Sequence, residues 1–209
     1  YKGKTFTIPA GVETIANHAF EDCINIEKIV MPNTVNYIGY WAFSCARKLS
    51  EINISTACEF IGQFIILGTK VTKIHIPKSV KSMLSGPFGD IVLESITADD
   101  GGTYYIENGA LRNQNEIVKV LTDATSYTVP EGIEYIDLYA FSNLENLEKV
   151  TLPESLIFLE GNAFENCIKL AHITIPDNTE RIGSNVFLGC DMLASVIIPR
   201  SVLLIGTPQ

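Results

Sequence analysis

Residues 153–176 read PESLIFLEGNAFENCIKLAHITIP, and residues 176–199 read PDNTERIGSNVFLGCDMLASVIIP. The two segments share one frame. Pro153 answers to Pro176, Leu159 to Ile182, Ala163-Phe164 to Val186-Phe187, Cys167 to Cys190, Leu170 to Leu193 and Ile175-Pro176 to Ile198-Pro199. The N-terminal stretch repeats it with Pro9, Val12, Ile15, Ala19-Phe20, Cys23, Ile26, Ile29 and Met31-Pro32. Prolines recur in steps of 23 residues at 9 and 32, and again at 130, 153, 176 and 199. Between these blocks Ser55 takes the proline position, Pro77 and Asp99 follow in steps of 22, and Pro130 lies 31 further on. A fixed period of this length marks a repeat architecture.

The spacing within a unit gives its local structure. Before each proline the chain alternates, as in Leu49-Ser50-Glu51-Ile52-Asn53-Ile54, so Ile52 and Ile54 share one face and Glu51 and Asn53 the other. Proline then ends the strand, because it lacks a ladder donor and presets φ for a turn. A second apolar pair follows (Val35 and Ile38, Thr179 and Ile182), then a tight bend at Gly39, Gly62, Gly183 or Gly206. The Ala-Phe pair and the residues after it suit a helical turn, with Phe20, Phe43, Phe141, Phe164 and Phe187 stacked as a spine. A unit of 23 residues cannot bury both its strand face and its phenylalanine. Stacking at about 4.8 Å per strand makes the core continuous, which predicts a solenoid. Strands ending at Ile8, Met31, Ile54, Ile76, Ala98, Val129, Leu152, Ile175 and Ile198 give nine rungs.

Composition agrees. The chain is 46% hydrophobic and 19% charged, and 27 isoleucines favour strands over helices. Mean hydropathy is +0.21, which excludes disorder. No apolar run reaches the roughly 18 residues of a membrane span. The net charge of -9 is uneven: residues 1–98 carry 9 basic against 8 acidic residues, and residues 99–209 carry 6 against 16. So acidic a half repels phosphate backbones and anionic lipid, making nucleic acid and membranes poor partners.

The frame Ile-Pro-x-x-Val-x-x-Ile-Gly-x-x-Ala-Phe-x-x-Cys-x-x-Leu-x-x-Ile, clearest in Pro32–Leu49, Pro153–Leu170 and Pro176–Leu193, resembles the BspA-like, or treponemal-type, leucine-rich repeat. The fold this implies is a right-handed leucine-rich-repeat solenoid of the α/β horseshoe class, β-rich with short helical turns. It has about nine rungs of 23 residues. The role it implies is extracellular or cell-surface adhesion or recognition of a protein or glycan, with no cofactor and no catalytic residues to carry over. A structural spacer projecting another domain is the alternative reading, and a glycan-acting enzyme a more remote one.

Where the frame breaks, the organisation shows. Residues 1–98 form a first array and 129–209 a second. Residues 99–128 depart from the repeat: Asn108-Gly109 is a two-residue hairpin signal, flanked by Tyr104–Glu107 and Ala110–Arg112 and followed by Glu116–Leu121. This reads as an inserted β-meander, and insertions in repeat proteins often carry binding. Its candidate contact residues are Tyr104, Tyr105, Asn108 and Arg112. Cys23, Cys167 and Cys190 share one repeat position and should point inward as free thiols, while Ala46 fills that slot beside Cys45. The chain stops partway through a rung at Leu204-Ile205-Gly206, so it reads as a piece of a longer surface protein with ends prone to self-association.

The outward strand face, which leucine-rich repeats usually present to partners, supplies the other candidates: Lys28, Glu51, Asn53, Lys73, His75, Lys149, Thr151, His172 and Thr174. His75 and His172 lie about four rungs apart, too far to share an ion, and His18 sits on a turn. Glu131, Glu154 and Asp177 each follow a repeat proline on successive rungs, where solvated turn carboxylates are expected and a Ca²⁺ ladder is the sharper alternative.

Overall fold

The computed structural model describes residues 4–206, which fall into two compact units, Tyr1–Ile106 and Glu107–Gln209. Each unit is a β-solenoid stack of rungs, and the chain makes about nine such turns in all. A rung runs from a front strand through a proline turn to a back strand, then through a double turn to the next front strand. At the proline turn the carbonyl of Pro9, Pro32, Pro77, Pro153, Pro176 or Pro199 accepts from the N–H three residues on, as does that of Ser55 in its place. Proline suits a position whose N–H is not needed.

In the first unit the front strands are Thr5–Thr7, Lys28–Val30 and Glu51–Ile52 in one parallel sheet, and Lys73–Ile76 and Ser95–Ala98 in another. The nine-strand ladder expected from the sequence is therefore interrupted. On the other side of Glu51–Ile52, Asn53 shortens the pairing with the preceding rung: its side chain donates to the Met31 carbonyl (3.0 Å) and accepts from the Met31 N–H (2.9 Å), taking bonds that a longer strand would make. The back strands do not break. Thr14–Ile15, Tyr37–Ile38, Phe60–Ile61 and Ser82–Met83 form one four-stranded parallel sheet. The sequence frame showed this wall only as an apolar pair, since two-residue strands carry no alternation to read.

In the second unit the front strands are Ser126–Thr128, Lys149–Thr151 and His172–Ile173. The strand expected to end at Ile198 is absent: residues 193–198 carry no strand, and Ile197 is 83% exposed. Val196 still packs on the core, but Ile198 is 41% exposed, so the segment lacks the fully buried face that fixes a strand's register. The meander of Tyr105–Glu107, Ala110–Arg112 and Glu116–Val120 forms as expected, with Asn108 and Gly109 at φ 50° and 77° in its first turn. Its last strand is more than part of an insert. Glu116–Val120 pairs antiparallel with Ala110–Arg112 and parallel with Tyr135–Ile136, so it is the first back strand of the second unit. Phe158–Leu159, Arg181–Ile182 and Leu204–Ile205 continue that sheet.

The third wall differs from the expected helical turns, and no helix occurs among the described residues. Alternate N–H groups are spent on the next rung. Those of His18, Phe20 and Asp22 donate to the carbonyls of Tyr40, Ala42 and Ser44, while those of Ala19, Glu21 and Cys23 close local turns onto residues three earlier. A helix needs every N–H for its own chain, so the ladder excludes it. The chain changes direction by placing two residues, four apart, in left-handed backbone. These are His18 and Asp22, Trp41 and Cys45, Phe64 and Gly68, Tyr139 and Asn143, Asn162 and Asn166, and Asn185 and Gly189, all with φ between 54° and 72°.

The phenylalanine spine runs inside each unit. Phe20 stacks on Phe43 at 5.5 Å, and Phe164 stacks on Phe141 at 4.8 Å and on Phe187 at 5.8 Å. Gly62 is required by close approach: a Cβ there would lie 2.6 Å from the Gly39 carbonyl carbon. All five cysteines are free thiols. Cys167 and Cys190 donate to the carbonyls of Phe141 (3.0 Å) and Phe164 (3.1 Å), which gives the small core residue at that position a polar task.

Candidate functional site

Both arrays present their candidate residues on the front strands, but in different states. In the first unit nearly every group is engaged with a neighbouring rung. Lys28 meets Glu51 at 2.6 Å and Lys73 meets Glu94 at 3.8 Å. Asn53 is held by Met31. His75 lies between Thr97 Oγ1 (2.9 Å, on Nδ1) and Asp99 Oδ1 (3.1 Å, on Nε2). Asp99 also accepts from the Lys78 N–H through Oδ2 at 3.1 Å. A hollow of about 510 Å³ lies over this face, lined by Lys28, Glu51, Asn53, Lys73 and Glu94 among others.

In the second unit the same face is uncommitted. Lys149 and His172 stand opposite each other on paired strands, beside Thr151 and Thr174. They line a shallow hollow of about 350 Å³ whose rim includes Glu154 and Pro176. Among the described residues, no ion pair takes in Lys149 or His172, and the hydroxyls of Thr151 and Thr174 have no partner on the chain. All four are exposed. The structure thus brings Lys149, Thr151, His172 and Thr174 together as one group, and Lys28, Glu51, Asn53 and Lys73 as another.

The candidates on the meander divide. Tyr104 and Arg112, expected as contact residues, are buried, at 5% and 6% exposure. Tyr104 takes its hydroxyl inward to accept from the Met83 N–H at 2.9 Å. Arg112 staples the hairpin: Nη1 reaches Glu107 Oε2 (2.9 Å), and Nε and Nη2 donate to the carbonyls of Asn113 (2.8 Å) and Gln114 (3.0 Å). A guanidinium can close several carbonyls of one tight turn, and a sequence pattern does not distinguish that from an exposed arginine. Asn108 is an exposed turn residue and Tyr105 is half-buried.

Glu131, Glu154 and Asp177 are each exposed at a proline turn. Among the described residues no three His, Cys, Asp or Glu side chains group so as to hold a metal ion. His18 is turned onto Glu21, Nδ1 to Oε2 at 2.7 Å. Burial pushes the thiols of Cys58 and Cys190 up to about 11 and that of Cys167 up to about 12, so these cysteines are packing groups rather than nucleophiles. No helix among the described residues is long and apolar enough to cross a membrane.

The sequence profile of the BspA-type leucine-rich repeat region matches in six copies over residues 2–118 and 120–208. The chain belongs to this family. Among solved structures, this BspA-type chain is similar to the pneumococcal vaccine antigen PcpA, with a TM-score of 0.80 and 24% identity over 99% of this chain and 59% of that one. A leucine-rich repeat protein of Bacteroides ovatus is 27% identical, with a TM-score of 0.51 over 97% of this chain and 47% of that one. A leucine-rich cell surface protein of Faecalibacterium prausnitzii is 18% identical, with a TM-score of 0.52 over 99% of this chain and 60% of that one. The chain therefore spans about three fifths of PcpA and under half of the Bacteroides protein. No curated protein matches it.

Proposed function

We propose that this BspA-type chain is a non-enzymatic recognition or adhesion module working outside the cell or on its surface, and that it holds a protein or glycan partner on the front strands of its second unit. The observation that carries the reading is the contrast between the two front faces. Lys149, Thr151, His172 and Thr174 line one hollow and have no partners of their own among the described residues, whereas Lys28, Glu51, Asn53, Lys73 and His75 are engaged within the first unit. A group bonded only to water gives up nothing else when a ligand replaces that water. A shallow row of exposed donors and hydroxyls suits recognition of a surface or a chain better than it suits catalysis, which needs converging groups in a cleft. The cell-surface description of the Faecalibacterium protein and the antigen description of PcpA support the location.

The test is binding of the full chain to a panel of host matrix proteins and glycans, read by biolayer interferometry. Lys149→Glu with His172→Glu should weaken the bound partner at least about tenfold, and Lys28→Glu with Lys73→Glu should leave it within about twofold. The opposite ranking would move the site to the first unit. A panel with no binder would favour a spacer role and end the proposal.

A further inference from the structure

The turn after each back strand begins with a residue in left-handed backbone, and the two units fill that position differently. The second unit uses Tyr139, Asn162 and Asn185, at φ 59°, 55° and 57°. The first uses His18, Trp41, Phe64 and Gly86, at φ 60°, 56°, 54° and 65°. Gly, and to a lesser degree Asn, Asp and His, accept this backbone, whereas bulky L residues are disfavoured there by roughly 1–2 kcal/mol. His18, Trp41 and Phe64 put three ring-bearing side chains at this position on successive rungs, Trp41 and Phe64 against that preference, and together they form a ridge. Trp41 is 38% exposed and its neighbour Tyr40 39%, while Phe64 is half-buried. The ridge is ordered: His18 and Trp41 centroids lie 5.5 Å apart at 63°, and Trp41 and Phe64 lie 6.1 Å apart at 55°.

Polar groups border the rings. Asn17 accepts from the Tyr40 N–H through Oδ1 at 3.1 Å, which leaves its amide N–H₂ facing outward without a partner on the chain among the described residues. His18 uses Nδ1 on Glu21 and keeps Nε2 for a ligand. The exposed rings of Trp41 and Tyr40, edged by an amide, an imidazole and a carboxylate, complement a pyranose, which has an apolar C–H face and a rim of hydroxyls. The repeat of about 4.8 Å per rung suits a polymer of sugar rings more than a single one. A protein partner would need a patch of roughly 800 Å², and this ridge is one narrow row.

We propose that the His18–Trp41–Phe64 ridge, with Tyr40 and Asn17, is a carbohydrate-stacking site for an oligosaccharide chain, separate from the front-strand face. Trp41 is the chain's single tryptophan, so its emission reports on this site alone. The probes are the β-1,4-linked hexamers of glucose, N-acetylglucosamine and mannose, titrated to about 10 mM, the weak end of specific affinity. At least one should shift the emission saturably. Phe64→Asn, which keeps the reporter, should weaken that ligand about threefold or more, and Trp41→Asn, followed by calorimetry, about tenfold or more. Both variants should remain folded, because Asn is at home in left-handed backbone. A hexamer whose affinity is unchanged in Trp41→Asn would overturn the proposal. So would the absence of a saturable shift with all three, or a shift produced only by a phenylalanine-rich peptide, which would make the ridge a protein contact. Lys149→Glu with His172→Glu should leave the emission titration unchanged, which separates failure here from failure of the front-strand reading.

Discussion

Replacing Phe164 by alanine tests whether the ring spine holds the second unit together. Phe164 is fully buried, between Phe141 at 4.8 Å and 27° and Phe187 at 5.8 Å and 13°. Truncating a buried phenylalanine costs about 3–5 kcal/mol, the spread reflecting how far the site collapses. Collapse is opposed here, because the Phe164 N–H and carbonyl are both bonded, to the Val186 carbonyl at 2.9 Å and the Cys190 thiol at 3.1 Å. A loss of about 4 kcal/mol is therefore expected. For a chain of this length each kcal/mol moves Tm by roughly 2–4 °C, so the fall should be about 8–16 °C by circular dichroism. Phe187 is half-buried and should cost about half as much on truncation. The Phe141→Ala/Phe164→Ala double variant should fall short of additivity by about 0.5–1.5 kcal/mol, the worth of one aromatic pair. A Tm drop below about 3 °C, or equal drops for Phe164→Ala and Phe187→Ala, would refute the spine as the source of cohesion.

Gly62→Ala should destabilise by about 3 kcal/mol, since its Cβ would press on Gly39 and Tyr40 backbone, while Gly11→Ala should cost only about 1 kcal/mol, for its φ of 89° in open space. Urea melts would show the two, and a Gly62→Ala loss no larger than that of Gly11→Ala would mean that close approach does not require glycine at Gly62. Arg112→Ala should cost about 2–4 kcal/mol, because the Asn113 and Gln114 carbonyls lose their donor, and Arg112→Lys should recover under half of it. Full recovery by lysine would reduce the staple to a charge effect. The buried thiols set a pH window. Burial pushes the folded-state thiols of Cys58 and Cys167 up to about 11 and about 12, above the 9.0 of a solvated thiol. Above about pH 9 the unfolded chain therefore releases protons that the folded chain retains, and stability should fall as pH rises toward 11–12. The urea midpoint should drop between pH 8 and pH 10, and drop less in a Cys58→Ala/Cys167→Ala variant; equal drops would exclude the thiols as the cause.

The repeat, the spine and the inward cysteines were legible because each occupies one position per period, and a side chain buried in every rung must recur in every rung. The back sheet was not, because Tyr37–Ile38 or Arg181–Ile182 offers one buried and one outward residue, and two residues make no alternation. The Ala-Phe spacing of the double turn suits a helical turn equally well, although the sequence carries a usable signal against it. Asn162 and Asn166, Asn185 and Gly189, and Asn143 are residue types that tolerate left-handed backbone, and they recur four apart on one wall. The first unit hides that signal, since His18, Trp41 and Phe64 stand in the same positions. On the front face, polarity identified outward residues but not which were already taken: Lys28 and Lys149 occupy equivalent positions, and only Lys28 finds a glutamate on the adjoining strand.

These walls contribute unequally to cohesion, and the inequality bears on recognition. Within the first unit the front ladder breaks after Ile52, yet the rungs stay joined through Phe60 opposite Ser82, Ile61 opposite Met83, and the Phe64 N–H on the Gly86 carbonyl at 3.1 Å. Within the second unit the front sheet has three strands, while the back sheet runs on through Arg181–Ile182 to Leu204–Ile205. The front side chains that point outward are exposed, and ion pairs such as Lys28–Glu51 are worth at most about 1 kcal/mol. Exchanging those two residues should therefore leave Tm within about 4 °C while reversing the local charge pattern. A larger shift would mean that the front wall supports the fold and is not free to vary. If the shift is as small as the geometry requires, front-face charges can be rewritten without endangering the solenoid, which is the property a recognition surface needs.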